Sequence, residues 1–298
     1  MSLIQNLVPW EYKLPAGFTV RGYHSQPSGK PVIHFIHSNG FCGLTFEVLL
    51  EKFQNEYDFF ISDALGHGES DAFMDYPDWN KNALNFEKVW QHFMPMWGSV
   101  PKIAMGHSYG AVISTLLIAK DPSLFDMGIL LDPVYAPPRL ANAMSVMSTT
   151  GLMKKTALAK QAQVRTVKWP SEQAAWDYFY QRGIFKGWQD DCLQSYLKHG
   201  LSKHDDGSMH LKCPARIESA IFATYVTGLW RAIKAVNKPV ALFYGDKTYP
   251  FISKAILKIR KTNPHYDFIE MPGGHCFMQE NPVLTAQGVK QKLRVLLS

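Results

Sequence analysis

Six short apolar runs punctuate the chain: KPVIHFIH (30–37), YDFFISDALG (57–66), KIAMGHS (102–108), MGILLDPV (127–134), KPVALFYGD (238–246) and YDFIEMPGGH (266–275). Runs this short and this continuously apolar predict strands buried on both faces, as in a parallel sheet covered by helical crossovers. Between them AVISTLLIAKD, the stretch around ISKAILKIR and the terminal TAQGVKQKLRVLL repeat at helical spacing. The alternation holds from about 30 to 134 and resumes at 238, with roughly a hundred residues in between that read as helical and rich in aromatics, as in EQAAWDYFYQRGIFKGWQDDCLQSYLKHG. The pattern predicts an α/β fold, a mostly parallel sheet flanked by helices. Residues 1–134 and 238–298 would form its core domain and 135–237 an inserted helical cap.

A chain of 298 residues that is 46% hydrophobic has the material for a large core. No apolar run approaches the ~20 residues needed to span a bilayer. The opening MSLIQNLVPWEYKLPAG lacks the basic-then-apolar order of a secretory signal, so the expectation is a cytoplasmic protein with no membrane span. The four cysteines, Cys42, Cys192, Cys213 and Cys276, show no C-x-x-C spacing and are expected as free thiols. The net charge of +6 resides in one segment: residues 133–237 hold 14 Lys and Arg against 7 Asp and Glu. That segment has no run of five like charges and no nucleic-acid motif, so the expectation is a solvated basic surface and no nucleic-acid partner.

The chemistry-bearing feature is KIAMGHSYGAVI at 102–113, a serine between two glycines at the junction of a predicted strand and a predicted helix. A serine on so tight a turn is held in an uncommon backbone conformation with its hydroxyl lifted clear of the sheet. Small residues two before and two after, here Gly106 and Gly110, avoid a clash. The helix that begins there aims its N–H groups and positive dipole end at the site, which favours an anion forming beside Ser108. The alternative is a glycine turn carrying a passive serine.

With that turn in place, the chain resembles the α/β-hydrolase family along almost its whole length. The resemblance makes Ser108 the nucleophile. It makes His275, in FIEMPGGHCFMQENP after the last predicted strand, the base that takes and returns the proton. HSNGFCG (37–43) is similar to the family's His-Gly-x loop, with Ser38 in place of the usual glycine. The resemblance implies that the backbone N–H of Asn39 and that of Tyr109 form the oxyanion hole, with Ser38 or Gly40 as alternative donors in the loop. DALGHGES (63–70) is similar to the family's Asp-x-Arg-Gly-x-Gly-x-Ser turn, with Leu65 for arginine, and is expected to be structural.

Two carboxylates compete to orient His275. The common family position lies three residues past Gly245, where Thr248 stands. Asp246 is one residue past that glycine and would serve only on an altered loop path. A second layout, used by some lipases and haloalkane dehalogenases, places the acid at the end of strand six, where MGILLDPV offers Asp132. An aspartate ending an apolar strand is costly to bury unpaired, and a histidine that becomes positive is a suitable partner. Asp132 is therefore expected as the acid, with Asp246 as alternative and a helix N-cap as the structural reading of Asp132.

HGLSKHDDGSMHLKC (199–213) matches no zinc or calcium spacing and contains a good Asp-Asp-Gly turn, so no metal or other cofactor is expected. Trp176, Tyr178, Phe179, Tyr180, Phe185 and Trp188 are expected mainly as the cap's own core, with some lining an apolar pocket. The resemblance implies a serine hydrolase acting on a small-molecule ester, of carboxylesterase type on small to medium apolar acyl groups. Lactonase, thioesterase and carbon–carbon hydrolase are alternatives within that chemistry. A slow ligand receptor or a hydroxynitrile-lyase-like lyase is the alternative outside it. The oligomeric state stays open.

Overall fold

In the computed structural model, which describes residues 3–73 and 78–298, eight strands form one sheet: β1 (Leu7–Lys13), β2 (Thr19–Ser25), β3 (Val32–Ile36), β4 (Asp58–Ser62), β5 (Lys102–His107), β6 (Met127–Leu131), β10 (Val240–Gly245) and β11 (Tyr266–Met271). Three further short strands, β7 (Lys168–Trp169), β8 (Leu201–Lys203) and β9 (Met209–Leu211), form a separate antiparallel sheet in the order β7-β9-β8. The large sheet runs β1-β2-β4-β3-β5-β6-β10-β11. The β1–β2 and β2–β4 pairs are antiparallel, and every pair from β4 to β11 is parallel.

Alternate residues of the central strands feed two hydrophobic clusters, one on each face of the sheet, because successive side chains of a strand point to opposite sides. Val32, Ile36, Ala104, Leu130 and Leu242 belong to one cluster. It also takes in the buried faces of α2 (Trp79–Phe93), α3 (Tyr109–Lys120), α9 (Leu229–Ala235) and α10 (Pro250–Ile259). Ile33, Phe35, Ile103, Met105, Ile129 and Phe243 belong to the other, with residues of α1 (Glu47–Leu50) and α12 (Pro282–Leu297). This two-sided burial is why those strands read as continuous apolar runs. His34 sits in the first cluster, stacked 4.9 Å from Trp90 and bonded through Nε2 to Ser62 Oγ at 2.9 Å. Burial lowers its pKa to about 3, so it is a neutral structural histidine.

Between β6 and β10 the chain forms α4 (Pro138–Thr149), α5 (Ala157–Gln163), α6 (Glu172–Phe179), α7 (Asp190–Gly200), α8 (Ala215–Phe222) and α9, together with the three-stranded sheet. That sheet departs from the all-helical expectation for this segment. Its strands are two or three residues long, too short to show alternation, and β8 and β9 are joined by the His204–Ser208 turn, in which Gly207 has φ +79°. Phe179, Phe185, Trp188 and Tyr196 are buried together, with Phe41 of the β3–α1 loop 5.5 Å from Trp188 and 5.4 Å from Tyr196. Tyr180 is exposed and stacks on Trp176. The short helix α11 (Phe277–Glu280) begins two residues after His275.

The sequence pattern does not announce the opening β1–β2 hairpin. It lies at the sheet edge, where burial is partial and Pro9 is tolerated, so no continuous apolar run marks it. Among the described residues, no helix is long and apolar enough to cross a membrane.

Candidate active site

The site lies at the carboxyl ends of β5, β6 and the loops after β10 and β11, where open α/β sheets present their functional groups. Ser108 directly follows β5, and its φ of +55° is one of three positive values among described non-glycine residues. The neighbouring glycines are needed for space. A Cβ on Gly106 would stand 2.5 Å from the Gly110 carbonyl carbon, and one on Gly110 would stand 2.1 Å from the Ile36 carbonyl oxygen. α3 begins at the next residue, Tyr109, so Ser108 stands at the N-cap of a twelve-residue helix, whose first-turn amides have no partner within the helix. The Ser108 amide itself donates to the Leu131 carbonyl at 2.9 Å.

Asp132 follows β6 and is the second positive-φ residue, at +44°. It is fully buried, and its carboxylate accepts from every side. Oδ1 takes the Gly245 N–H at 3.0 Å. Oδ2 takes the Thr248 hydroxyl and lies 2.6 Å from His275 Nδ1. His275 Nε2 is 2.9 Å from Ser108 Oγ. With Nδ1–H given to the carboxylate, Nε2 presents a lone pair to the serine hydroxyl, the arrangement a general base requires.

The His275 loop is itself anchored. His107 Nε2–H donates to the His275 carbonyl at 2.9 Å, Gly274 N–H donates to Glu280 Oε1 at 2.9 Å, and Gly273 N–H donates to Asp246 Oδ1 at 2.8 Å. Asp246 therefore braces the loop that carries the histidine, while Asp132 meets the imidazole. His107 is fully buried and held neutral by desolvation, with its proton placed for this one contact. The Tyr249 ring lies 5.0 Å from that of His275 and is itself half exposed. Ser108 is 8% exposed.

The β3–α1 loop reaches the site through a buried histidine pair. His37 Nδ1–H donates to the Ser38 carbonyl at 2.7 Å, and its Nε2 accepts from Ala64 N–H at 2.9 Å. His67 Nε2 accepts from Gly40 N–H at 3.0 Å while its Nδ1 faces the Leu65 carbonyl at 3.2 Å. Each ring must be neutral to accept a backbone N–H, and burial lowers the two pKa values to about 3 and about 4. The Gly40 amide is thus engaged by the His67 imidazole. Asp63 completes the brace: it accepts from Gly43 N–H at 2.7 Å and Glu69 N–H at 3.2 Å, and burial raises its pKa to about 6. The Asp63–Ser70 turn has the structural role expected of it, and His67 adds a contact to the site loop that the sequence reading did not assign.

Thr248 is the other residue the sequence reading missed. It stands where the family most often has its acid, and here its hydroxyl donates a hydrogen bond to Asp132, which follows β6. Its position, three residues beyond Gly245, was the available signal.

The four cysteines are buried and unpaired. Among the described residues no group of three or more His, Cys, Asp or Glu side chains is placed to hold a metal ion. In the 199–213 segment Asp206 caps its own turn by accepting from Ser208 N–H at 2.9 Å, and His204 stacks on His210 at 3.9 Å. A cleft of about 750 Å³ lined by Glu47, Glu172, Trp176, Asp191 and Lys198 lies along α1, α6 and α7 and includes none of the site residues.

The family described as serine aminopeptidase, S33, matches residues 29–247. The chain belongs to this α/β-hydrolase family and is a hydrolase of that fold. Among solved structures it is similar to an E-2-(acetamidomethylene)succinate hydrolase, with 18% identity, a TM-score of 0.77, and coverage of 97% of this chain and 99% of that one. It is also similar to a thioesterase domain from the curacin biosynthetic pathway, at 16% identity and TM-score 0.76 over 96% and 99% of the two chains. A third is an esterase of M. tuberculosis, at 19% identity and TM-score 0.67 over 97% and 92%. At these identities the likeness is one of fold. No curated protein sequence matches the chain.

Proposed function

We propose that the protein is a serine hydrolase that cleaves carboxylic ester-type bonds through an acyl-enzyme, acting on small to medium apolar acyl groups. The observation that carries this reading is the unbroken chain from Ser108 Oγ to His275 Nε2 at 2.9 Å and from His275 Nδ1 to Asp132 Oδ2 at 2.6 Å, on a serine held at positive φ. Ser108 Oγ adds to the ester carbonyl as its proton passes to His275 Nε2, and the imidazolium is stabilised by the Asp132 carboxylate. The carbonyl oxygen becomes an oxyanion held by the amides of Asn39 and Tyr109. Collapse expels the alcohol, which takes the proton from His275. Water, deprotonated by the same imidazole, then attacks the acyl-serine and releases the acid and the free enzyme.

A hydroxyl nucleophile speaks against haloalkane or epoxide opening, which proceed through an alkyl ester on a carboxylate. The low exposure of Ser108 fits a small to medium acyl group held away from bulk water. We further propose that residues 135–237 act as the cap over this site.

The test is a panel of p-nitrophenyl esters of short, medium and long acyl chain beside matched thioesters, lactones and aminoacyl p-nitroanilides. The expected result is highest kcat/KM on short to medium esters. Hydrolysis of the anilides in preference to every ester would overturn the reading.

A further inference from the structure

One charged pair in the inserted segment is placed in a way that the fold alone does not require. Glu218, on α8, is 8% exposed, and its carboxylate accepts from Arg165 Nη1 at 2.5 Å. A carboxylate so buried is stable only if paired, and its partner is delivered by the stretch just after α5. α5 is in turn tied to α8 by the Ser219 hydroxyl, which donates to the Ala159 carbonyl at 2.8 Å. The pair meets the β3–α1 loop. Gly40 has φ +80°, and a Cβ there would stand 3.1 Å from Glu218 Oε1 and 3.2 Å from its Cδ, so the carboxyl group packs directly on the Gly40 Cα. Asn39 Nδ2 donates to the Glu218 backbone carbonyl at 3.1 Å.

We infer that the Arg165–Glu218 pair positions the oxyanion loop, an inference that rests on the esterase reading above. Residue 39 is gripped from two directions: its side chain by the backbone of Glu218, and the peptide that follows it by His67 through the Gly40 amide. With both fixed, Asn39 cannot rotate about its backbone, and its own N–H stays aimed at the place where the carbonyl oxygen acquires charge. The carboxyl group completes the grip by filling the space a side chain would take at Gly40, and Arg165 keeps that group neutralised and in place. The oxyanion hole is therefore complete only when α5 and α8 are seated, and a mispositioned segment leaves a serine that binds substrate but stabilises the tetrahedral oxyanion poorly.

The test compares wild type, Arg165→Met, Glu218→Gln and the double variant, reading steady-state ester kinetics and inhibition by an aryl trifluoromethyl ketone. The ketone accepts Ser108 Oγ at its carbonyl carbon, the serine proton passes to His275, and the carbonyl oxygen becomes an alkoxide that only a formed oxyanion hole stabilises. Each single substitution is expected to lower kcat by roughly ten- to a hundredfold, less than complete loss of an oxyanion donor. KM should stay within about twofold, and the ketone Ki should rise by the same factor as kcat falls. The double variant, which leaves no unpaired charge, is expected to recover most of the loss. Glu218→Gln preserves volume and the backbone acceptor, so it carries the test if Arg165→Met does not fold. Single variants with kcat and Ki both within twofold of an active wild type, or a fall in kcat with Ki unchanged, overturn the positioning role while leaving the esterase reading intact. A wild-type chain that neither turns over esters nor binds the ketone defeats both.

Discussion

Replacing Asp132 by Asn exposes the logic of the site, because the substitution is nearly isosteric and every partner of the carboxylate is known. In the wild type Oδ1 accepts the Gly245 amide and Oδ2 accepts both the Thr248 hydroxyl and His275 Nδ1–H. An asparagine must present NH₂ in one of those directions. The Gly245 N–H cannot reverse, so the amide oxygen takes that side and the NH₂ faces His275 Nδ1. The imidazole answers by moving its proton to Nε2, which then points a hydrogen at Ser108 Oγ in place of a lone pair. Turnover through the minor tautomer alone is expected to cost about 10³ to 10⁴ in kcat, or roughly 4–5.5 kcal/mol of barrier at about 1.4 kcal/mol per tenfold. Asp246→Asn alters only the bond to the Gly273 amide, so its kcat should stay within about tenfold of wild type. The assay is steady-state ester hydrolysis with active-site titration to normalise for folded enzyme. An Asp132→Asn enzyme within tenfold of wild type, or a larger loss in Asp246→Asn, would refute the tautomer argument.

Two further outcomes follow from the same contacts. Thr248→Val removes one of the two donors on Asp132 Oδ2 and is expected to lower kcat roughly tenfold, with Thr248→Ser close to wild type, as fits a hydrogen bond to a charged group; equal losses in both variants would mean that packing, not the hydroxyl, matters. Burial lowers the pKa values of His34, His37 and His67 to about 3, about 3 and about 4, so the unfolded chain binds more protons than the folded one below the ordinary histidine value. Stability is then lost as pH falls from about 6.5 to about 4, at roughly 1.4 kcal/mol per pH unit for each imidazole. Asp63, raised to about 6, opposes this with the opposite sign, since its neutral form is favoured in the fold and its stabilisation fades as pH rises through that value. Three groups against one predict that denaturant midpoints fall between pH 6.5 and 4, and a flat or rising profile would contradict the neutral assignment of the buried histidines.

Much of this arrangement is legible in the sequence because steric need leaves a signature. Gly106 and Gly110 are forced by backbone atoms 2.1–2.5 Å from any Cβ placed there, and Asp132 stands out as a charge ending an apolar strand. The parallel strands announce themselves because both faces are covered. What stays hidden is hidden for equally physical reasons. The β1–β2 hairpin lies at an edge with partial burial, and β7, β8 and β9 are too short to carry a period. Thr248, judged only as a replacement for a carboxylate, reads as a gap in the pattern; its value as a donor appears only once Asp132 is beside it in space. His67 lies in a turn whose glycines explain it locally, and its contact with Gly40 spans 27 residues of chain. The Arg165–Glu218 pair joins positions 53 residues apart, a separation at which no spacing rule operates.

The central claim is that Ser108 is the nucleophile activated by His275. Incubation of the wild-type chain with a fluorophosphonate, followed by intact mass and peptide mapping, addresses it most directly. The account predicts a single stoichiometric adduct on Ser108, with labelling and ester turnover both lost in Ser108→Ala. Ester hydrolysis that persists in Ser108→Ala, or an adduct that maps to another residue, would contradict it.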